Sequence, residues 1–287
     1  MGWPRKRSSP ARQDSARRLG LWRLARPWLP LVLVLAGFFG AWYVAWRRLG
    51  PELQGSTDYQ VTRDRLVVTP RPEWIRRDIA EQVYRDLALE EPLSILDDQL
   101  LERVRHAFAL HPWVAKVQRV QRRYPATIVV DLVYRRPVCV VETAGRLVVV
   151  DAEAVVLPDE DFSPVDKARY PRLAGIESGP LGPVGTRWGH PRVAGGAEIA
   201  AVLLPAWESL GLERIIPSAM PQSASDREQT YELLTRRGTW IFWGKAPSAE
   251  GPGEPRAADK LARLQRYLDE HGTLEGTTGP QRLDLTR

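Results

Sequence analysis

Beyond residue 58 the apolar side chains follow two periods, and those periods lay out most of the chain. Ile75, Ile79, Val83 and Leu87 recur every fourth residue, the stripe of an amphipathic helix that packs on a sheet. Pro72 suits that helix's first turn, and Glu90-Glu91-Pro92 ends it. Leu100, Val104 and Phe108 form a second stripe, widened by Leu101 and Ala107. Ser94, Asp97 and Asp98 are its candidate caps, and it ends near His111-Pro112, because a proline disfavours helical geometry in the residue before it. Strand-like sequence precedes both helices at Tyr59–Val61 and Leu66–Val68. After them the period drops to two. Residues Trp113–Arg122 alternate imperfectly, Tyr124-Pro125-Ala126 turns, and Thr127–Arg136 alternates well. Ile128, Val130, Leu132 and Tyr134 share one face, with Asp131 and Arg135 on the other. The order is β-α-α-β-β, closed by a hairpin.

From Pro137 onward strands dominate: Val138–Glu142, Leu147–Val150 and Ala154–Leu157, with a turn at Asp151-Ala152-Glu153. A Gly- and Pro-rich loop is expected over 175–191, and a helix over Ala197–Leu210 that Pro205 starts, ends or kinks. Strands follow at Ile215–Ile216, Tyr231–Arg236 and Thr239–Trp243. Gly251-Pro252-Gly253-Glu254-Pro255 reads as a flexible loop. Leu261, Leu264 and Leu268 mark a charged amphipathic helix over Arg256–Glu270, and a strand at Arg282–Leu285 closes the chain. The fold class is therefore α+β, with no internal repeat.

One segment has neither period. The 19 residues from Trp28 to Trp46 carry no charge, and as a helix they would span about 28 Å, the hydrocarbon thickness of a bilayer. Trp22 and Trp28 mark one end; Trp42, Tyr43 and Trp46 mark the other, as ring side chains do at a membrane interface. The end is bulky rather than small, which favours an uncleaved signal anchor over a cleaved signal peptide. Eight basic residues precede the segment and only Arg47 and Arg48 closely follow it, so the positive-inside bias places the N-terminus in the cytoplasm and the body outside. The layout is a basic tail (1–27), a transmembrane helix (28–46), a stalk (47–58), the β-α-α-β-β unit (59–136) and a β-rich domain with flanking helices (137–287).

Charge changes its meaning in that layout. The whole chain is +6, but residues 1–48 hold ten basic side chains and one acid. The exported body is then mildly acidic, so the surplus is topogenic and no nucleic-acid face is expected.

Candidate chemistry is sparse. The single cysteine, Cys139, excludes a disulfide framework, and the four histidines show no metal-ligand spacing. No nucleophile-elbow, phosphate-loop, dinucleotide or zinc-protease pattern occurs. The acid groups Glu90/Glu91 and Asp159/Glu160/Asp161 read as solvated turns, and His111 as a helix-end residue. Cys139 reads as a buried small hydrophobe, and Trp74, Trp113, Trp207 and Trp240 as core packing. No cofactor, metal or small-molecule ligand is expected.

Three runs of residues resemble a known family. His111-Pro112-Trp113-Val114, then Arg122-Arg123-Tyr124-Pro125-Ala126-Thr127-Ile128, then Tyr134-Arg135-Arg136-Pro137-Val138 resemble the POTRA domain of FtsQ/DivIB-type bacterial cell-division proteins. Leu147–Asp151 with Val156-Leu157-Pro158 is similar to the start of that family's β domain, and Lys260 with Asp284-Leu285 to its closing helix and strand. The chain departs from the pattern at Tyr134, where Glu is common, at Ala154, where Gly is, and at Thr286, where Arg is. The resemblance implies a non-enzymatic, single-pass scaffold of the bacterial inner membrane that binds FtsB/FtsL-like partners and helps regulate septal peptidoglycan synthesis. β-Augmentation is the expected route, with Arg282, Leu283, Asp284 and Leu285 as the partner-binding edge. The other readings are a POTRA-bearing export or assembly adaptor outside division, and a signal-anchored exported enzyme using acids such as Asp151 and Glu153.

Overall fold

The computed structural model describes residues 34–44, 47, 60–90, 93–219, 229–276 and 279–286. The chain divides into two units, Met1–Gln60 and Val61–Arg287. In the first, residues 34–44 are helical and exposed, with the Phe38 ring stacked on Trp42. The tail, the rest of the expected 28–46 span and nearly all of the stalk lie outside the described residues. Among the described residues no helix is long and apolar enough to cross a membrane.

The second unit is mixed α+β, built on two sheets. Its first elements are β1 (Leu66–Val68), α1 (Ile79–Glu90), α2 (Leu100–Leu110), β2 (Val114–Arg123) and β3 (Thr127–Tyr134). The three strands run in the order β1-β3-β2, with β1 parallel and β2 antiparallel to β3. Both helix stripes face this sheet: Ile79, Val83, Leu87, Leu100, Val104 and Phe108 are buried with Ile128, Val130 and Leu132. The Tyr134 hydroxyl donates to Thr69 O at 2.7 Å and ties the end of β3 to the end of β1.

α1 starts later than Pro72 suggests. Asp78 accepts the Glu81 N–H at 3.1 Å, so the aspartate caps the helix. Ile75 is buried but sits in the turn ahead of it, where its N–H donates to Pro72 O.

The second sheet holds β4 (Pro137–Thr143), β5 (Arg146–Asp151), β6 (Arg172–Leu173), β7 (Leu212–Pro217), β8 (Thr230–Thr235), β9 (Trp240–Lys245) and β10 (Arg282–Asp284). Their order is β10-β9-β8-β7-β6-β4-β5. Three helices accompany them: α3 (Pro164–Ala168), α4 (Pro191–Leu203) and α5 (Ala257–His271). α4 begins at Pro191 rather than Ala197. His190 caps it by accepting the Arg192 N–H, and Pro191 fills the first turn. Gly195 and Gly196 let the helix lie close on the sheet: a Cβ on Gly196 would come within 2.6 Å of Leu173 Cδ1, and one on Gly195 would collide with the Tyr231 hydroxyl. Pro205 ends the helix in a short 3-10 turn, Leu204–Ala206.

The expected strand Ala154–Leu157 makes only isolated bridges, Val150 to Val156 and Val155 to Arg187. Asp151 Oδ1 accepts the N–H groups of both Glu153 and Val155, which turns the chain there. Ala154 occupies the left-handed region at φ 56°, the conformation that makes glycine the easy choice.

The two sheets are joined inside the second unit. Val140, Val149, Leu157 and Phe162 of the second half are buried in the same cluster as the first sheet and its helices. Trp113 Nε1 donates to Asp161 Oδ2 at 2.7 Å in buried surroundings, so Asp161 is no solvated turn residue. Asp159 and Glu160 of that group are exposed, and Glu91 and the Glu90 side chain lie outside the described residues. Arg135 Nη1 meets Asp151 Oδ2 at 2.7 Å, with both side chains largely buried.

His111 lies beside this join. Its Nδ1 accepts the Trp113 N–H at 3.3 Å and its Nε2 faces Gln82 Oε1 at 3.1 Å, which the neutral ring protonated on Nε2 satisfies. Burial holds its pKa below the ordinary 6.5, against the opposing charges of Asp161 and Asp86. The unfolded chain therefore takes up a proton that the folded chain resists, and stability falls as pH drops below 6.5. Denaturant midpoints on either side of that value should differ more for the native chain than for His111→Asn, whose amide oxygen can still accept the Trp113 N–H. Equal differences would remove His111 from the account.

Candidate partner-binding edge

An open sheet has two edges, and here they are finished differently. Beside β5, Leu157 N–H donates to Val149 O at 2.9 Å. Outside that segment, Val156 N–H donates to Thr186 O and Gly185 N–H to Val156 O. That edge is covered by irregular chain. At the other end β10 pairs with β9 alone among the described residues.

The ladder fixes which groups of β10 face outward. Trp240 N–H donates to Gln281 O at 2.9 Å, and Leu285 N–H to Phe242 O at 3.1 Å. Backbone groups alternate along a strand, so residues 281, 283 and 285 serve β9 while the N–H and C=O of Arg282 point away from the sheet.

Side chains alternate as well. Leu285 is buried and Leu283 packs on the same core, opposite the fully buried Ile241. Arg282 and Asp284 are exposed on the other face, opposite Trp240 and Phe242. The pairings extend inward as two rows: Arg282, Trp240, Leu234, Arg214 and Asp284, Phe242, Glu232, Ile216. Trp240, Phe242, Leu234 and Ile216 are half-buried, and none belongs to either buried cluster.

The four expected residues thus divide into two jobs. Leu283 and Leu285 hold the strand in place; Arg282 and Asp284 face the neighbouring space. The half-exposed row beside them was not anticipated. Trp113 and Trp207 are buried and Trp74 packs half-buried on the first cluster, as expected, whereas Trp240 is half-buried and belongs to neither cluster. The signal was present in Thr239–Trp243, where Trp240 and Phe242 alternate with Ile241 and Trp243.

A three-residue edge offers few backbone bonds, each worth about 1 kcal/mol net. A partner strand therefore needs the half-exposed row and its charges to gain useful affinity.

Other candidate groups are committed elsewhere. Cys139 is fully buried, which pushes its thiol up to about 12 and leaves no thiolate. Asp151 lines a cleft of about 300 Å³ with Arg135 and Glu153, but its oxygens are taken by Arg135 and by the Glu153 and Val155 amides. Among the described residues no group of three or more His, Cys, Asp or Glu side chains is placed to hold a metal ion.

No family model matches the chain. It is 29% identical over 257 residues to "Cell division protein FtsQ" of Anaeromyxobacter sp. (strain K), covering 86% of this chain and 74% of that protein. It is also 28% identical over 138 residues to the FtsQ of Zymomonas mobilis subsp. mobilis, covering 46% of this chain and 41% of that protein. By these matches the chain is similar to FtsQ-type proteins. These similarities support a role in cell division.

The ladder geometry separates two proline substitutions. Leu285→Pro removes an N–H that bonds within the sheet and should cost about 1–3 kcal/mol of folding stability. Arg282→Pro removes one that points outward and should change stability by less than about 1 kcal/mol. Chemical denaturation of the two variants checks the assignment; a reversed order would mean that the strand presents its other side.

Proposed function

We propose that this protein is a non-enzymatic, single-pass scaffold of the bacterial divisome, anchored through residues 28–46 with its C-terminal body outside the cytoplasmic membrane. In this reading the β-α-α-β-β unit is a POTRA domain, and β10 captures a strand of an FtsB/FtsL-like partner, through which septal peptidoglycan synthesis is regulated. The single observation that carries the proposal is the finish of the second sheet. One edge is covered by the chain itself, while the other presents the outward backbone of Arg282 beside a half-exposed aromatic row. Strand addition needs a backbone donor and acceptor at an accessible edge and no catalytic residue. The charges of Arg282 and Asp284 discourage unspecific pairing there, so a partner must answer them.

The test separates backbone from side chain. In cells that depend on this chain for division, Arg282→Pro at normal abundance should produce filaments with few septa. Arg282→Ala, which keeps the N–H, should divide close to normally. Normal septation with Arg282→Pro would refute strand addition at this edge.

A further inference from the structure

The loop read as flexible, Gly251–Pro255, carries a carboxylate that reaches the sheet just behind β10. Glu254 Oε1 accepts the Lys245 N–H at 2.8 Å, at the end of β9. It also accepts from Lys260 Nζ of α5 at 2.6 Å. Lys260 is 0% exposed, and its ammonium lies 5.3 Å from the ring centroid of the fully buried Trp243 and 3.8 Å from Glu250 Oε1. A buried ammonium needs such partners, because its desolvation is otherwise uncompensated.

Gly244 explains how the carboxylate gets there. Its φ is 88°, and a Cβ at that position would collide with Glu254 Oε1 and lie within 2.6 Å of Thr286 Cγ2. The carboxylate and the residue following Leu285 therefore meet at one glycine on β9. Thr286 is held in turn, its N–H donating to Asp284 Oδ1 at 2.9 Å. Lys260, Glu254, Gly244, Thr286 and β10 form one contiguous set of contacts.

We propose that the buried Lys260–Glu254 pair is a positioning device for the partner-binding edge: it fixes the end of β9 and thereby the firmness with which β10 is presented. Neither residue is expected to touch a partner. The inference rests on the reading of β10 as the docking edge, and its consequence is that α5 and the 251–255 loop tune partner capture from the inner side of the sheet. A partner strand pairs well only with an edge already held straight, since ordering a loose edge subtracts from the binding free energy.

The test is amide hydrogen exchange by mass spectrometry on the purified full-length chain, followed by division in cells. Lys260→Met, which leaves Glu254 buried without its cation, should speed exchange at least about tenfold in peptides covering 279–286 and 240–245, while peptides covering 137–151 stay within about twofold. Glu250→Gln touches only the longer contact and should loosen the same peptides by a smaller factor, which keeps the test open if Lys260→Met does not fold. The same variants should septate less often than the native chain at equal abundance. Uniform acceleration across both regions would mean general destabilisation and overturn the proposal, as would unchanged exchange at 279–286. Selective loosening with normal septation would also overturn it. Failure of the docking reading itself is seen separately, in Arg282→Pro, which leaves the ion pair in place.

Discussion

Backbone N–H and C=O groups along a strand must pair with something, and the seven-stranded sheet meets that demand differently at its two ends. Beside β5 the chain folds back on itself, first with residues 155–157 and then with 185–187. Beside β10 no described part of the chain does so. Several contacts keep this one edge in place. Leu283 and Leu285 insert into the core, and Leu285 donates to Phe242 O. Glu254 and Lys260 hold the strand behind it. What remains outward is the backbone of Arg282, two opposite charges and a half-exposed aromatic row, a surface suited to one extended partner and poorly suited to indiscriminate pairing.

The edge can be presented only if the sheet behind it is anchored. Only Arg135 and Arg136 separate β3 from β4, so the two sheets are forced close together at that point. Arg135 closes on Asp151 and Trp113 on Asp161, and a shared apolar cluster fills the space between the sheets. Removing one member of a buried pair of this kind costs more than the pair contributes, because the other is left without a partner. The seam therefore resists piecemeal change, and it lies at the covered end of the sheet, with β6 to β9 between it and β10.

Much of this is legible in the sequence alone. The stripes Ile79-Val83-Leu87 and Leu100-Val104-Phe108 face the first sheet as their spacing implies, and the hairpin of β2 and β3 turns where Tyr124-Pro125-Ala126 directs. The misses have physical reasons. The expected helix starts at Ala197, yet α4 includes Gly195 and Gly196, which let it approach β6 and β8, and that packing outweighs their poor helix propensity. β6 is two residues long and carries no period. Asp161 and Glu254 sit in polar loop sequence, and only the tertiary structure brings Trp113 to one and Lys260 to the other. At the closing strand the sequence placed the edge but not its polarity, since which N–H groups face outward depends on the register with β9.

The central claim is that a division partner adds a strand beside β10. The most direct measurement places a photo-crosslinking amino acid at position 282 of the full-length chain in dividing cells, with position 181 as control, where Leu181 is exposed on a distant loop of the same body. The account predicts a discrete crosslink to another division membrane protein from position 282 and none from 181. Dividing cells that yield no crosslink at 282, or the same products from both positions, would contradict it.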